Sequence, residues 1–400
     1  MGNHKVYLQY ANAVHIHDKV WFADGESNGF FSLNLRDFSV EFLGGISFGD
    51  KTVPWAYYGN VHCSYENKLF LFPSKCNQIL VYDMEQNLMT GIPFCLAGAS
   101  EAYITAGVIQ CDAKVWIFPY KMKQGICVLD LETLVLERCS ELDEALDGVE
   151  YICNSGNVVK MNETEIAILS GKHTIIGVNL QKKKRIFSKS FDEAVNIWGI
   201  RHNSNSFWLL LYDSTDVYEW IQYEDSLIKY TLLEEEWIGG KGGAYSNIVF
   251  LGGQVVLLPC ALKYITKVDF AASTIVKTAE YPKQFRFLDY LSCFPAFGAY
   301  TFLDGNKVLL YPSMGNMLLT YDAERNLIEG RESTVVIEDI PYLMKVMQKR
   351  IQMEKGIFQE NDGLTVRMLD LLLDWNISGK NIGNKNCIGL RIYDDIAERK

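Results

Sequence analysis

Catalytic signatures are scarce in this chain of 400 residues. It has no Walker loop, no H-E-x-x-H and no G-x-G-x-x-G placed after a strand, so phosphoryl transfer, zinc hydrolysis and dinucleotide chemistry lack the spacing they need. None of its ten cysteines forms a C-x-x-C pair, which argues against a zinc ribbon or a thioredoxin-type centre. Only six histidines are present. His15 and His17 stand at i and i+2, on one face of an extended segment, but no third ligand follows at a defined spacing. No metal and no cofactor are expected. Positive charge is also short, with a formal net charge of -11, which argues against nucleic acid as a partner, because that affinity comes from neutralising phosphates. No stretch approaches the ~18 apolar residues of a membrane span. The opening Met1–Val6 lacks the apolar region of a signal peptide, and the scattered cysteines suit thiols kept reduced. Together these predict a cytoplasmic protein with no membrane partner.

What the chain does hold is a core's worth of apolar residues, 48% of the total, with 13% aromatics and 22% charged residues. Aromatic and β-branched residues suit pleated, half-buried surfaces. The apolar residues recur in a pattern. A short apolar run, a turn and a second apolar run ending near an acidic or amide residue appear seven times. The openings of the first run are Lys19, Lys68, Lys114, Glu165, Ser206, Gln254 and Lys307, at intervals of 49, 46, 51, 41, 48 and 53 residues. That brackets the roughly 40–50 residue spacing of propeller blades. Before each opening lies another strand-like segment, such as Ala13–His17, Gly107–Cys111 or Ile197–His202, that begins near a Gly, Ala, Ser or Asn. After the second run come a polar turn and a weaker outer strand. Each copy therefore reads as strands a, b, c and d. The b runs, such as Val115-Trp-Ile-Phe118 and Phe207-Trp-Leu-Leu-Leu211, are continuously apolar, as strands buried on both faces should be. Pro73, Pro119, Pro259 and Pro312 recur at the end of b, where a residue that cannot donate to the ladder stops the strand.

This pattern resembles the kelch-type and related seven-bladed propellers over roughly residues 5 to 337. The resemblance lies in architecture and period. Paired glycines stand in patches, among them Gly239-Gly240, Gly242-Gly243 and Gly252-Gly253, and the Trp-Asp dipeptide of the WD-repeat family is missing from the c-strand ends. The expected fold is all-β: a seven-bladed β-propeller over residues 1–339. From Ile340 the period stops. Apolar residues at helical spacing in 341–354 and 364–375 predict a short C-terminal helical appendage over 340–400, either packed on the propeller or serving self- or partner association.

Strand direction alternates outward from a propeller axis, so the b–c and d–a loops share one face. Loops on a rigid scaffold vary without loss of the fold, and function concentrates there. The b–c loops carry Lys75, Tyr120, Lys121, Lys172, His173, Tyr212, Lys263 and Tyr264. The d–a loops and the strand starts after them carry Trp55, Tyr58, Trp198, Arg201 and Arg286. Lysines and aromatics converging on one mouth suit a ligand with an anionic group and an apolar or sugar-like face. The bland alternative is solvated turn lysines and aromatics filling gaps between blades. Acidic residues cluster over 141–150 and at Glu234-Glu-Glu236, which leaves acid/base chemistry open. The reading that follows is a non-enzymatic binding or scaffolding propeller for a peptide, protein or glycan. The alternative is a propeller lyase, epimerase or hydrolase acting on a sugar or modified peptide, and a third is an assembly component that docks through its tail.

Overall fold

A computed structural model describes residues 5–8, 10–24, 29–46, 62–73, 78–94, 105–152, 157–232, 243–260, 262, 264–285, 297–312, 317–336 and 342. The chain is all-β. Strand β1 (Lys5–Tyr7) leads into a meander of β2 (Tyr10–Ile16), β3 (Lys19–Asp24), β4 (Gly29–Asn34) and β5 (Val40–Gly45). The second meander is β6 (His62–Tyr65), β7 (Lys68–Leu71), β8 (Gln78–Asp83) and β9 (Leu88–Pro93). The third is β10 (Thr105–Cys111), β11 (Lys114–Pro119), β12 (Cys127–Asp130) and β13 (Leu136–Arg138), followed by the short helix α1 (Ser140–Ala145). Next come β14 (Val158–Lys160), β15 (Glu165–Ser170), β16 (Thr174–Asn179) and β17 (Lys184–Ser190). Strands β18 (Ile197–Asn203), β19 (Ser206–Leu211), β20 (Val217–Ile221) and β21 (Ser226–Leu232) are followed by β22 (Tyr245–Leu251), β23 (Gln254–Pro259), β24 (Thr266–Asp269) and β25 (Thr274–Lys277). The last meander is β26 (Phe297–Phe302), β27 (Lys307–Pro312), β28 (Leu318–Asp322) and β29 (Leu327–Arg331), and β30 (Thr334–Val336) ends the described strands. All seven expected openings are the first residue of a b strand.

The sheets form a propeller-like ring, but not of seven separate sheets. Among the described residues there are five four-stranded sheets, one eight-stranded sheet and a two-stranded ribbon. The eight-stranded sheet is a correction to the sequence expectation. It arises because the outer strands β21 and β25 pair in parallel, through Thr231–Thr274 and Leu232–Ile275. The ribbon pairs β1 with β30 and so joins the two ends of the ring. Beside it the buried Tyr10 hydroxyl donates to Ser333 Oγ at 3.0 Å. The helical segment expected over 340–400 lies outside the described residues, apart from Tyr342, whose ring stacks on Phe42 at 5.4 Å. No described helix is long and apolar enough to cross a membrane.

Period-two alternation in the b strands explains their continuous hydrophobicity. Val115 and Ile117 of β11 face a cluster with Phe70, Phe72 and Val81 of the preceding sheet. Trp116 and Phe118, the residues between them, face Ile166, Ile168 and Ile176 of the following one. The same division occurs in β19, where Phe207 and Leu209 face back and Trp208 and Leu210 face forward. The last and first meanders share a cluster in the same way, with Leu309 and Tyr311 against Tyr10, Phe22 and Phe31. Fully burying one such side chain stabilises by about 1.5–3 kcal/mol.

The acidic or amide residue at the end of the second apolar run also gains a cause. Asn34, Asp83, Asp130, Asn179, Asp269 and Asp322 each end a c strand. Each side-chain oxygen accepts backbone N–H groups two or three residues on, as in Asp130 from Glu132 and Thr133 and Asp322 from Glu324 and Arg325. These Asx turns substitute for backbone hydrogen bonds at the hairpin. Four residues after each cap the chain turns left-handed, at Phe38, Asn87, Leu134, Lys183, Ser273 and Asn326. In β20, Ile221 takes the cap position, and Asp225 instead accepts from Trp220 Nε1 at 2.9 Å.

Two outcomes follow. Phe118→Ala should cost about 3–5 kcal/mol in denaturant unfolding, because Phe118 is fully buried between two sheets. Stability should also fall on acidification. The Thr133 and Arg325 backbone N–H groups hold Asp130 and Asp322 below the usual carboxylate range. A depressed folded pKa contributes stability above the unfolded value, near ~3.9, and that stability is lost as pH falls through the folded value. Asp322→Asn should keep its turn, as Asn179 does, and flatten the decline in unfolding midpoint between neutral pH and pH ~3.

Candidate functional site

The structure brings some of the expected site residues together. At the end of β11, Tyr120 and Lys121 meet the segment 150–152. Lys121 and Tyr151 form an antiparallel bridge. Ile152 N donates to Tyr120 O at 3.0 Å, and Met122 N to Glu150 O at 3.0 Å. These backbone bonds hold the Tyr120 and Tyr151 rings 6.4 Å apart with a 36° tilt, each 38% exposed. Tyr120, Lys121, Lys123, Val149, Glu150 and Tyr151 line an open depression of about 500 Å³. Its floor is firm because Met122 and Val149 belong to the cluster between the third and fourth meanders.

A second group lies one sheet further round. Lys172 and His173 form the tight b–c turn after β15. His173 Nδ1 lies 3.0 Å from Val195 O, and Ile197 N donates to Lys172 O at 2.8 Å. The Lys172 ammonium sits 4.4 Å from the centre of the Tyr212 ring, a cation–π contact. Trp198 meets that ring edge-on at 4.7 Å and 89°. A β-bulge aims it there: Ile197 pairs with Leu211 and Gly199 with Leu210, so Trp198 is the extra residue. Bulges of this kind redirect a side chain. The two groups are continuous through the backbone, since Ile152 also bridges Ser170, two residues before Lys172.

Other expected residues are placed elsewhere. Arg201 lies partway down the inner strand, where its Nε donates to Asn247 Oδ1 of β22 at 2.6 Å and its Nη1 to Ile200 O at 2.6 Å. It ties two inner strands together. Tyr264 packs against the cluster between the β18–β21 and β22–β25 halves, with Lys277 Nζ 4.4 Å from its ring. Trp55, Tyr58, Lys75, Lys263 and Arg286 lie outside the described residues. His15 is in β2, but His17 is in the following turn at φ 55°, so the two do not share a strand face. Among the described residues no group of three or more His, Cys, Asp or Glu side chains could hold a metal.

The acidic stretch 141–150 is built into the fold. Asp143 accepts from Ile126 N and Arg138 Nε, both at 2.8 Å, and Glu141 accepts from Lys183 Nζ at 2.7 Å. That interaction holds Glu141 below its ordinary pKa. Glu150 is the one acidic residue of this stretch that lines the depression. Desolvation pushes the Cys63 and Cys127 thiols up to about 12, so these two behave as small apolar groups. One pattern escaped the sequence reading: Gly45-Ile-Ser-Phe-Gly49 spells G-x-S-x-G. A nucleophile elbow needs a strand-to-helix turn in an α/β sheet, whereas Gly45 ends the outer strand of an antiparallel sheet, and residues 47–49 lie outside the described residues. Tyr151 also escaped the reading. Its local signal was only an aromatic beside a charged loop, and the bridge to Lys121 is non-local.

No protein-family profile matches the sequence, and no curated protein does. Solved structures resemble it in fold. The extracellular domain assigned to a hybrid two-component system from B. thetaiotaomicron aligns with a TM-score of 0.51 and 12% identity, over 78% of this chain and 39% of that one. This chain therefore spans well under half the length of that neighbour. A chain of the mitotic checkpoint complex aligns with a TM-score of 0.49 and 10% identity, over 77% and 90% of the two chains. The computationally designed Ika8 protein gives 0.49 and 10%, over 76% and 94%. At these identities the likeness concerns fold alone.

Gly243 sets the back of the second group. A Cβ there would lie 2.7 Å from Leu211 O and 3.6 Å from Trp198 Cδ1. Gly243→Ala should therefore lower stability by about 1–3 kcal/mol, read by denaturant unfolding, whereas Ser204→Ala in an a–b turn should not.

Proposed function

We propose that this chain is a seven-bladed, kelch-like β-propeller that binds a peptide, protein or glycan partner on the face formed by its b–c and d–a loops. On this reading the eight-stranded sheet counts as two blades joined at their outer edges. The shortness of the parallel link, two residue pairs, supports that count. So does the apolar cluster packed between its two halves, just as between the separate sheets. The protein acts as a binding platform in the cytoplasm, a placement that the five described free cysteines favour. Residues 340–400 form a second element for self- or partner association.

The observation that carries the binding role is the continuous run of tyrosines and lysines on one face, from Tyr120, Lys121 and Tyr151 to Lys172, Tyr212 and Trp198. Aromatics that reach the surface, Tyr120 and Tyr151 exposed and Tyr212 and Trp198 half-buried, supply contact area at low entropic cost, and the ammonium groups favour an anionic partner in an acidic protein. The test is selection of ligands from a peptide library and a glycan array, then comparison of wild type with the Tyr120→Ala/Tyr212→Ala double variant. Selected ligands should lose about tenfold or more in affinity, as at an aromatic hot spot. Tyr223→Ala, in an exposed c–d turn on the opposite face, should change nothing. Ligands that bind the double variant as tightly as wild type would overturn the assignment of this face.

A further inference from the structure

The outer strands of the ring differ in how their free edges are closed. An edge strand carries a row of backbone N–H and C=O groups on the side away from its sheet, and another chain can pair with that row unless something blunts it. Here β21 and β25 pair with each other. Strand β5 carries Glu41 and is bulged at Leu43, since Phe30 pairs with Gly44 and Phe31 with Phe42. Strand β13 is three residues long. Strand β17 carries Lys184, Arg185 and Lys189 and is bulged at Ile186, and β29 carries Glu329 and Arg331. Charges, bulges and short length are the usual protections of an edge. Strand β9, Leu88-Met-Thr-Gly-Ile-Pro93, has none of them. It is six residues long without a charge, its register against β8 is unbroken, and no described strand pairs with its outer side. We propose that β9 is a second binding surface, on the rim of the ring, which takes an extended, uncharged segment of a partner protein as an added strand. This goes beyond the loop-face reading.

Pro93 shows which groups the edge offers. Without an N–H, it fits a ladder only where that N–H would point away from the neighbouring strand. Orientation repeats at every second residue, so Met89 and Gly91 turn both N–H and C=O to the free edge, and Pro93 adds a C=O. Leu88, Thr90, Gly91 and Pro93 are exposed, Leu88 by 50%. Met89 and Ile92 pack into apolar clusters on opposite faces of the sheet. The edge is therefore held in place before a partner arrives, which limits the ordering cost of binding.

Area and chemistry select the occupant. Six residues at about 3.3 Å each, in a layer about 10 Å deep, present an edge of roughly 200 Å². A stable complex of two folded proteins buries about 800 Å² on each partner, so this edge alone is small for a second copy of the ring. A single extended segment needs only main-chain bonds and room for alternate side chains. Those side chains stand beside Leu88 and Thr90, so β-branched or apolar residues suit them, and a charged one would find no counter-charge on β9. The ring already contains such a junction. Strand β21 accepts β25 through Thr231–Thr274 and Leu232–Ile275, all uncharged.

A fluorescein-labelled octapeptide of alternating Thr and Val tests this on the full chain, by fluorescence anisotropy and hydrogen exchange. It should bind and slow exchange at the Met89 and Gly91 amides. The same peptide N-methylated throughout cannot donate to the edge and should bind about tenfold or more weaker. Thr90→Lys, a change at an exposed position that should leave the unfolding midpoint in place, should weaken the unmodified peptide to a similar degree. The Tyr120→Ala/Tyr212→Ala double variant should bind it as wild type does. Absence of binding, or binding that leaves exchange at Met89 and Gly91 unchanged, would overturn the edge assignment. Binding lost in the double variant and kept in Thr90→Lys would also overturn it, and would move the segment to the loop face. Equal affinity for an octapeptide of alternating Thr and Glu would overturn the choice of an uncharged segment. A dimer of the free chain in sedimentation, dissolved by Thr90→Lys, would replace the partner segment with a second copy of this chain.

Discussion

Burial of both faces of the b and c strands of each meander is the constraint on which the rest of this molecule depends. A single four-stranded meander has two apolar faces and cannot hide either alone. Ringing the sheets lets each cover its neighbours, so Val115 and Ile117 are buried backwards while Trp116 and Phe118 are buried forwards. The same requirement governs the ends. The last meander must cover the first, which it does through Leu309 and Tyr311, and the β1–β30 ribbon holds that contact shut. An open ring would expose two apolar faces to water, and at about 25 cal/mol per Å² that loss would outweigh the ribbon many times over.

A rigid ring frees its loops from any structural duty beyond connection. The c–d hairpins use a repeated device, a side-chain cap followed by a left-handed residue. The b–c and d–a connections vary in length and composition. On the varied side the backbone of residues 150–152 is stitched to the ends of both β11 and β15. That stitching turns separate loops into one surface, with tyrosines and lysines at fixed positions. The described groups whose titration is displaced lie mainly in turns and between sheets, such as Tyr311, whose phenol burial pushes upward, and Asp322, lowered by the backbone N–H of Arg325. They answer to folding rather than to chemistry at the mouth.

Much of the fold was legible because its signals are local. Seven b strands begin where the period places them, since alternation, turn residues and prolines all act within a few residues. Pro119, Pro259 and Pro312 each close a b strand. The candidate site was less legible. Tyr120, Lys172, Trp198 and Tyr212 were singled out by their position in the repeat, but nothing local distinguishes them from Arg201, whose guanidinium ties β18 to β22. Tyr151 and Glu150 looked like part of an acidic loop, because what sets them beside Tyr120 is a bridge to Lys121 formed across 30 residues of chain.

The sequence by itself determined the period, the strand identities and the turn chemistry, because each is decided by neighbours in the chain. Tertiary structure decided how those units join: two meanders fused through Thr231–Thr274 and Leu232–Ile275, the ends closed by a ribbon, and a bulge that turns Trp198 onto Tyr212. Pairings between distant segments depend on which backbone groups packing leaves at an edge. No residue records that choice alone, so it becomes visible only once the ring has formed.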